Sequence, residues 1–102
     1  MEETSLILEF SGGSEFLVGN EKIHKVSVAT SSAPLLIRDV FSWMRGTLLK
    51  DCDRTELLLE GDSVRPGVLV LVNDTDWELT GNEDTELKNG DKVTFISTLH
   101  GG

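Results

Sequence analysis

Leu6, Leu8 and Phe10 fall on one parity of position and Ile7 and Glu9 on the other, so Ser5–Phe10 has the period of a half-buried strand. Ser11-Gly12-Gly13-Ser14 follows as a turn, with two residues free to take positive φ. A second strand is predicted in two pieces, Phe16-Leu17-Val18 and Lys22–Val28, divided by Gly19-Asn20. Together the two strands make an N-terminal hairpin. Ala29-Thr30-Ser31-Ser32-Ala33 is a polar loop, and Pro34 suits the first turn of a helix. Beyond Leu36, the apolar positions Ile37, Val40, Phe41, Met44 and Leu48 have the spacing of one helical face. Arg38, Asp39, Ser42 and Arg45 fill the other side, and Trp43 lies off the stripe, placed to cover a sheet edge. Gly46 weakens this helix by about 1 kcal/mol relative to alanine and blurs its end.

The remainder reads as strands and turns. Asp51-Cys52-Asp53-Arg54 is a connector, and Leu57-Leu58-Leu59 a short third strand. In the loop Gly61–Gly67, Pro66-Gly67 has the chemistry of a type II turn. Val68-Leu69-Val70-Leu71-Val72 is unbroken, as in a strand buried on both faces. Asn73–Asp76 turns the chain, and Trp77-Glu78-Leu79 is a brief strand. Thr80–Gly90 is an acidic loop anchored by Leu87, and Asn89-Gly90-Asp91 turns into a last strand, Lys92–Ser97. Hairpin, helix, then strands is an α+β two-layer order, a mixed sheet of four to five strands packed on one main helix. Parallel pairing of the first and last strands at its centre gives the arrangement called a β-grasp. The expected division is a body over 1–97 and a flexible tail over 98–102.

Composition narrows the function. At 102 residues, 38% hydrophobic and 26% charged, the chain has the profile of one ordinary globular domain. Its single cysteine, Cys52, excludes an internal disulfide and a cysteine-ligated cluster, and points to a reducing compartment. The acidic start, Met1-Glu2-Glu3, leads into only three apolar residues, which fits neither a secretory signal nor a membrane span. The expected location is the cytoplasm, with the nucleus as a second possibility. A net charge of -9, with nine basic residues scattered among eighteen acidic ones, argues against direct nucleic-acid binding. An acidic body suits a partner with a basic docking face, although solubility alone explains the same charge.

The candidate sites in the body are weak. Asp74, Asp76 and Glu78 match the first, third and fifth positions of a calcium loop. Leu79 stands where that loop needs glycine and Thr85 where it needs glutamate, so these carboxylates are turn formers on a solvated face. Cys52 lies between Asp51 and Asp53, which disfavour a thiolate. His24, between Lys22 and Lys25, reads as an exposed strand residue, and neither imidazole has metal-ligand spacing. No phosphate-binding loop, metal constellation or Ser-His-acid set is present. The chain is a poor candidate for an enzyme.

The end of the chain is different. A strand stops at Ser97 and leaves Thr98-Leu99-His100-Gly101-Gly102, which extended reach roughly 17 Å. With no side chains on the last two residues, the backbone can thread a narrow channel toward a nucleotide bound by another protein. The carboxylate of Gly102 is inert until activated, and adenylation is the usual route to an acyl donor. His100 is suited to orient or dock the tail, and a plain terminal histidine is the alternative.

Three blocks carry a resemblance: Gly61–Asp74, Asp76-Trp77-Glu78-Leu79 and Phe95–Gly102, with weaker similarity at Ile37-Arg38-Asp39 and Trp43. They closely resemble the ubiquitin-related modifier 1 family, whereas ubiquitin itself has arginines before its diglycine. That family often has a polar cap just before Ile37, where this chain has Leu36, so Ser31 or Ser32 is expected to cap a helix starting around Pro34.

The resemblance implies a β-grasp sulfur carrier and protein modifier. Gly102 would be adenylated by an E1-like activating enzyme with a rhodanese domain, then converted by an enzyme-bound persulfide into a C-terminal thiocarboxylate. Thr98, Leu99, His100 and Gly101 would form the tail that docks on that enzyme. The sulfur would pass to the cytosolic tRNA thiolation complex for 2-thiolation of wobble uridine, or the activated end would join lysines of target proteins. No cofactor is expected on the chain, ATP being consumed by the activating enzyme, and a monomer is expected. Two other classes remain distinct from this: a β-grasp interaction domain that binds through its sheet face, and a small hydrolase built on Cys52 and a histidine.

Overall fold

The computed structural model describes residues 2–30 and 34–97. In chain order the elements are β1 (Glu2–Ser11), β2 (Ile23–Thr30), β3 (Leu35–Leu36), α1 (Ile37–Gly46), β4 (Leu59–Glu60), β5 (Ser63–Val64), β6 (Val68–Val72), β7 (Thr75–Asp76), β8 (Glu86–Leu87) and β9 (Lys92–Ser97). Single 3-10 turns lie at Ser14–Val18, Thr55–Leu57, Trp77–Leu79 and Asn82–Asp84. The main sheet has the order β2-β1-β9-β6-β7, so the last strand sits at its centre. There β9 runs parallel to β1, from Ile7↔Lys92 to Ser11↔Ile96, and antiparallel to β6, from Val72↔Val93 to Val68↔Ser97. One helix against this mixed sheet gives the α+β, β-grasp architecture, with its predicted hairpin and central parallel pair.

The core lies between the sheet and α1. Leu6, Leu8 and Phe10, Val93 and Phe95, and Val68, Val70 and Val72 are buried against Ile37, Val40, Phe41 and Met44 of the helix. Phe10 stacks on Phe95 with ring centroids 5.2 Å apart, and Phe41 meets both Phe95 and Trp77 at 6.1 Å. The predicted helical stripe is correct up to Met44. Leu48 falls beyond the helix and is half-buried, while Leu49 completes the core.

Five local expectations are overturned, each for a physical reason. Phe16–Val18 is a 3-10 turn, because Gly12, Gly13, Gly19 and Asn20 on either side take positive φ and break the alignment with β1. The Phe16 N–H is satisfied locally by the Gly13 carbonyl, and just beyond the turn the Asn20 N–H donates to the Glu15 carbonyl. Leu57-Leu58-Leu59 is no strand along its length, since the Leu57 and Leu58 N–H groups donate to the Arg54 and Thr55 carbonyls, each at 3.0 Å, and close a 3-10 turn. Only Leu59-Glu60 pairs, with Ser63-Val64, outside the main sheet. Trp77–Leu79 is a turn that Asp76 caps by accepting the Glu78 N–H at 2.9 Å, and the strand is Thr75-Asp76.

Helix α1 starts at Ile37 rather than near Pro34, because Leu35-Leu36 is held as a strand against Glu86-Leu87. Asp39 reaches back to accept the Leu36 N–H at 2.9 Å, and the Thr85 carbonyl accepts the Ile37 N–H at 3.0 Å. Ser31 and Ser32, the expected caps, lie outside the described residues. Finally, β6 is buried on one face only. The helix covers one side of the sheet, and Leu69 on the other remains 50% exposed.

Truncating the ring shared by both core layers tests this packing. Phe95→Ala is expected to lower unfolding free energy by about 3–5 kcal/mol, read from the midpoint of a urea titration at unchanged m-value.

Candidate functional site: the root of the C-terminal tail

The strand that leads to the terminus is fixed at both ends. At its start, Asn73 closes a clamp on Lys92: its N–H donates to the Lys92 carbonyl at 2.8 Å and its side-chain oxygen accepts the Lys92 N–H at 2.9 Å. The Lys92 ammonium lies 3.1 Å from Asp74 and 3.7 Å from Glu9. The hydrogen bond that the ammonium donates to Asp74, with the charges of Asp74 and Glu9, holds the Lys92 pKa above the ordinary lysine value. The Ile7 N–H donates to the Asp91 carbonyl at 3.0 Å, tying the same corner to β1.

At the far end, the β1–β2 connection closes over the strand. Ser14 is buried and its hydroxyl reaches the Ser11 carbonyl at 2.9 Å and the Phe95 carbonyl at 3.2 Å. Gly12, at φ +69°, passes so close that a Cβ there would stand 2.3 Å from the Ser97 carbonyl oxygen. Glycine is required twice over, by conformation and by space. Glu15 steadies the turn by accepting the Gly13 N–H at 2.9 Å, and backbone hydrogen bonds to its carboxylate hold its pKa below the ordinary glutamate range. Neither Gly12 nor Ser14 was singled out in the sequence for this role, since their partners lie more than eighty residues away.

Beside this exit lies a half-open, largely apolar groove of about 1000 Å³, between the Ser14–Val18 turn and the segment after the helix, with Ser97 in its wall. The opposite, helix-free face of the sheet carries an apolar strip. Leu69 stands across from Ile96, Leu71 across from Thr94, and Ile23 across from Glu9. Ile23 and Leu69 are exposed, and the hydroxyl of buried Thr94 has no hydrogen-bond partner.

The terminal residues Thr98, Leu99, His100, Gly101 and Gly102 lie outside the described residues, so the structure bears on them only through their root. Asp74 and Asp76 act in turns and in the Lys92 cluster, and among the described residues no group of three His, Cys, Asp or Glu is arranged to hold a metal. His24 is half-buried, not exposed as expected, because its ring meets Phe10 edge-on at 5.5 Å; its Nε2 pairs with the Glu21 carbonyl. The Cys52 sulfur accepts the Arg54 N–H at 3.4 Å. No described helix is long and apolar enough to cross a membrane.

Sheet order, a single covering helix and a terminus issuing from the central strand define the ubiquitin-like class of β-grasp proteins. Comparison with known proteins carries this to the family level. The family model Urm1 (Ubiquitin related modifier) matches residues 5–102, and the chain belongs to that family. It is 54% identical over 97 residues to ubiquitin-related modifier 1 homolog 2 of Arabidopsis thaliana, covering 93% of this chain and 96% of that one. To ubiquitin-related modifier 1 of Homo sapiens it is 50% identical over 98 residues, covering 96% and 95%. Among solved structures, Urm1 from Trypanosoma brucei superimposes with a TM-score of 0.74 at 32% identity, covering 100% of this chain and 99% of that one.

Gly12→Ala isolates the root from the tail. The forced left-handed conformation alone costs about 1–2 kcal/mol, and the contact with Ser97 adds to it. The expected outcome is a destabilised but folded domain whose Ile96 and Ser97 amide resonances move most in an NMR spectrum.

Proposed function

We propose that this chain is a sulfur carrier and ubiquitin-like modifier, acting through the carboxylate of Gly102 at the end of a tail over 98–102 on a body over 1–97. The observation that carries this is the central, doubly clamped β9, which ends five residues before a diglycine terminus. Membership of the ubiquitin related modifier family, with the match running through residue 102, supports the same reading.

The chemistry follows from the acyl end. An E1-like activating enzyme with a rhodanese domain would bind Thr98–Gly101 and join Gly102 to AMP, releasing pyrophosphate from ATP. A persulfide on that enzyme would attack the acyl carbon and expel AMP. A second thiol would then open the resulting S–S bond, leaving the thiocarboxylate on Gly102. The sulfur would go to the cytosolic tRNA thiolation complex for wobble-uridine 2-thiolation; attack by a lysine amine on the activated acyl end would instead give an isopeptide bond. The chain brings no cofactor and no catalytic residue of its own, and works as a monomer in the cytoplasm. Its net charge of -9 favours protein partners over tRNA itself.

A second reading has one observation in its favour. The apolar strip around Leu69, Leu71 and Ile96 suits a β-grasp interaction domain that never uses its terminus. Deletion of Gly102 separates the two. In cells relying on this chain, the carrier reading predicts loss of wobble-uridine 2-thiolation with an unchanged circular dichroism spectrum of the purified variant. Normal thiolation without Gly102, or with a tag appended after it, would favour the sheet-face reading.

A further inference from the structure

The main sheet ends in two unlike edges. At one, β7 spans only Thr75–Asp76. At the other, β2 runs for 8 residues without a proline, and its register is unbroken from Glu9↔Ile23 to Glu2↔Thr30. Long edges are commonly blunted by a bulge, a proline or a covering segment, and no described strand covers this one. We propose that β2 is a docking edge, which takes an extended segment of a partner protein, acidic and apolar in composition, as a further strand of the sheet.

Hydrogen-bond parity shows what the edge offers. The Phe10 N–H donates to the Lys22 carbonyl at 2.7 Å, so Lys22 and, by alternation, His24, Val26 and Val28 turn their backbone groups toward β1. On β1, Ser5 and Ile7 bond the other way: the Ser5 carbonyl accepts the Gly90 N–H at 2.8 Å and the Ile7 N–H donates to Asp91. Ile23, Lys25, Ser27 and Ala29 therefore present their N–H and C=O groups outward, in the spacing that an incoming strand matches.

The side chains of these four residues stand on the helix-free face and set the preference. No acidic residue occurs in β2, and its Lys25 makes no ion pair among the described residues. The carboxylates nearby on β1 are engaged, Glu3 by the Ser27 hydroxyl at 2.7 Å and Glu9 by Lys92 at 3.7 Å. A carboxylate arriving beside Lys25 gains a partner, whereas an ammonium meets a like charge. Salt screens exposed charges beyond about 8 Å, so Lys25 rather than the net charge of -9 governs this edge. An edge lysine also discourages pairing between two copies of one chain, which reserves the edge for a partner of opposite charge.

The apolar component comes from an open pocket of about 340 Å³ next to Lys25, walled by Ser5, Ile7, Ser27 and Gly90. An added strand lies about 4.8 Å from β2. From there a leucine-sized side chain reaches the pocket over Ser27, which is too small to bar it. Strand β1 separates this edge from β9, so a segment docked on β2 leaves Ser97 uncovered. The edge is independent of whether Gly102 is ever activated.

The test titrates the isotope-labelled full chain with a capped nonapeptide. Its odd positions are threonine, and its even positions are glutamate, leucine, leucine and glutamate; a second peptide has lysine for both glutamates. The first peptide is expected to shift the amides of Ile23, Lys25, Ser27 and Ala29 most and to slow their hydrogen exchange. It is expected to bind roughly fivefold tighter than the second. Ser27→Pro removes one outward donor and no bond to β1, and is expected to abolish the shifts. Lys25→Glu, which leaves the backbone unchanged, is expected to reverse the preference between the peptides. No shift at millimolar peptide, equal binding of the two, or shifts centred on Leu69 and Ile96 would overturn the proposal. Protection of the same four amides by self-association without peptide would overturn it too, by giving the edge to a second copy.

Discussion

The structure depends on the pairing of the last strand between the first and the sixth. Because β9 lies at the centre of the sheet, its hydrogen bonds run to both neighbours, and its Phe95 ring is packed on one side by Phe10 and on another by Phe41. A strand so placed cannot fray without opening the core. Its start is clamped by Asn73 and by the Lys92 cluster, and its end by Gly12 and Ser14. The point at which the described chain ends, Ser97, is therefore fixed on the body. That is what an activating enzyme would need from a substrate presented by its terminus.

The two faces of the sheet divide the remaining work. One face is closed by a single helix whose stripe is Ile37, Val40, Phe41 and Met44, and this side supplies the stability. The other face has no cover among the described residues and leaves Leu69 and Ile23 exposed, with Ile96 beside Leu69. The groove opens on the helix side, beside the same exit.

Long periodic segments were legible in the sequence. The alternation of Leu6, Leu8 and Phe10, the helical spacing from Ile37 to Met44, and the final run Val93–Ser97 each specify one face and thereby one element. Three-residue segments were not. Phe16–Val18, Leu57–Leu59 and Trp77–Leu79 are too short to show a period, and their conformations are settled by positive φ at their flanks or by caps. Leu35-Leu36 became a strand through Glu86-Leu87, fifty residues on, which no local pattern reveals. The cap from Asp39 was readable in principle, as an acidic residue at the third helical position. The run Val68–Val72 suggested burial on both faces, because sequence does not say that only one layer covers the sheet.

The candidate site divides in the same way. The tail residues stood out by composition and position alone, whereas the root that holds them is made by contacts across the whole chain, as between Ser14 and Phe95. The most direct measurement is the mass of the C-terminal tryptic peptide, Val93–Gly102, after incubation with an E1-like partner, ATP and a sulfur donor. That peptide has no Met, Trp or Cys, so oxidation cannot imitate replacement of oxygen by sulfur. The account predicts that replacement on Gly102, only when the partner and ATP are both present. An unchanged peptide, beside a partner shown to be active on another carrier, would contradict it.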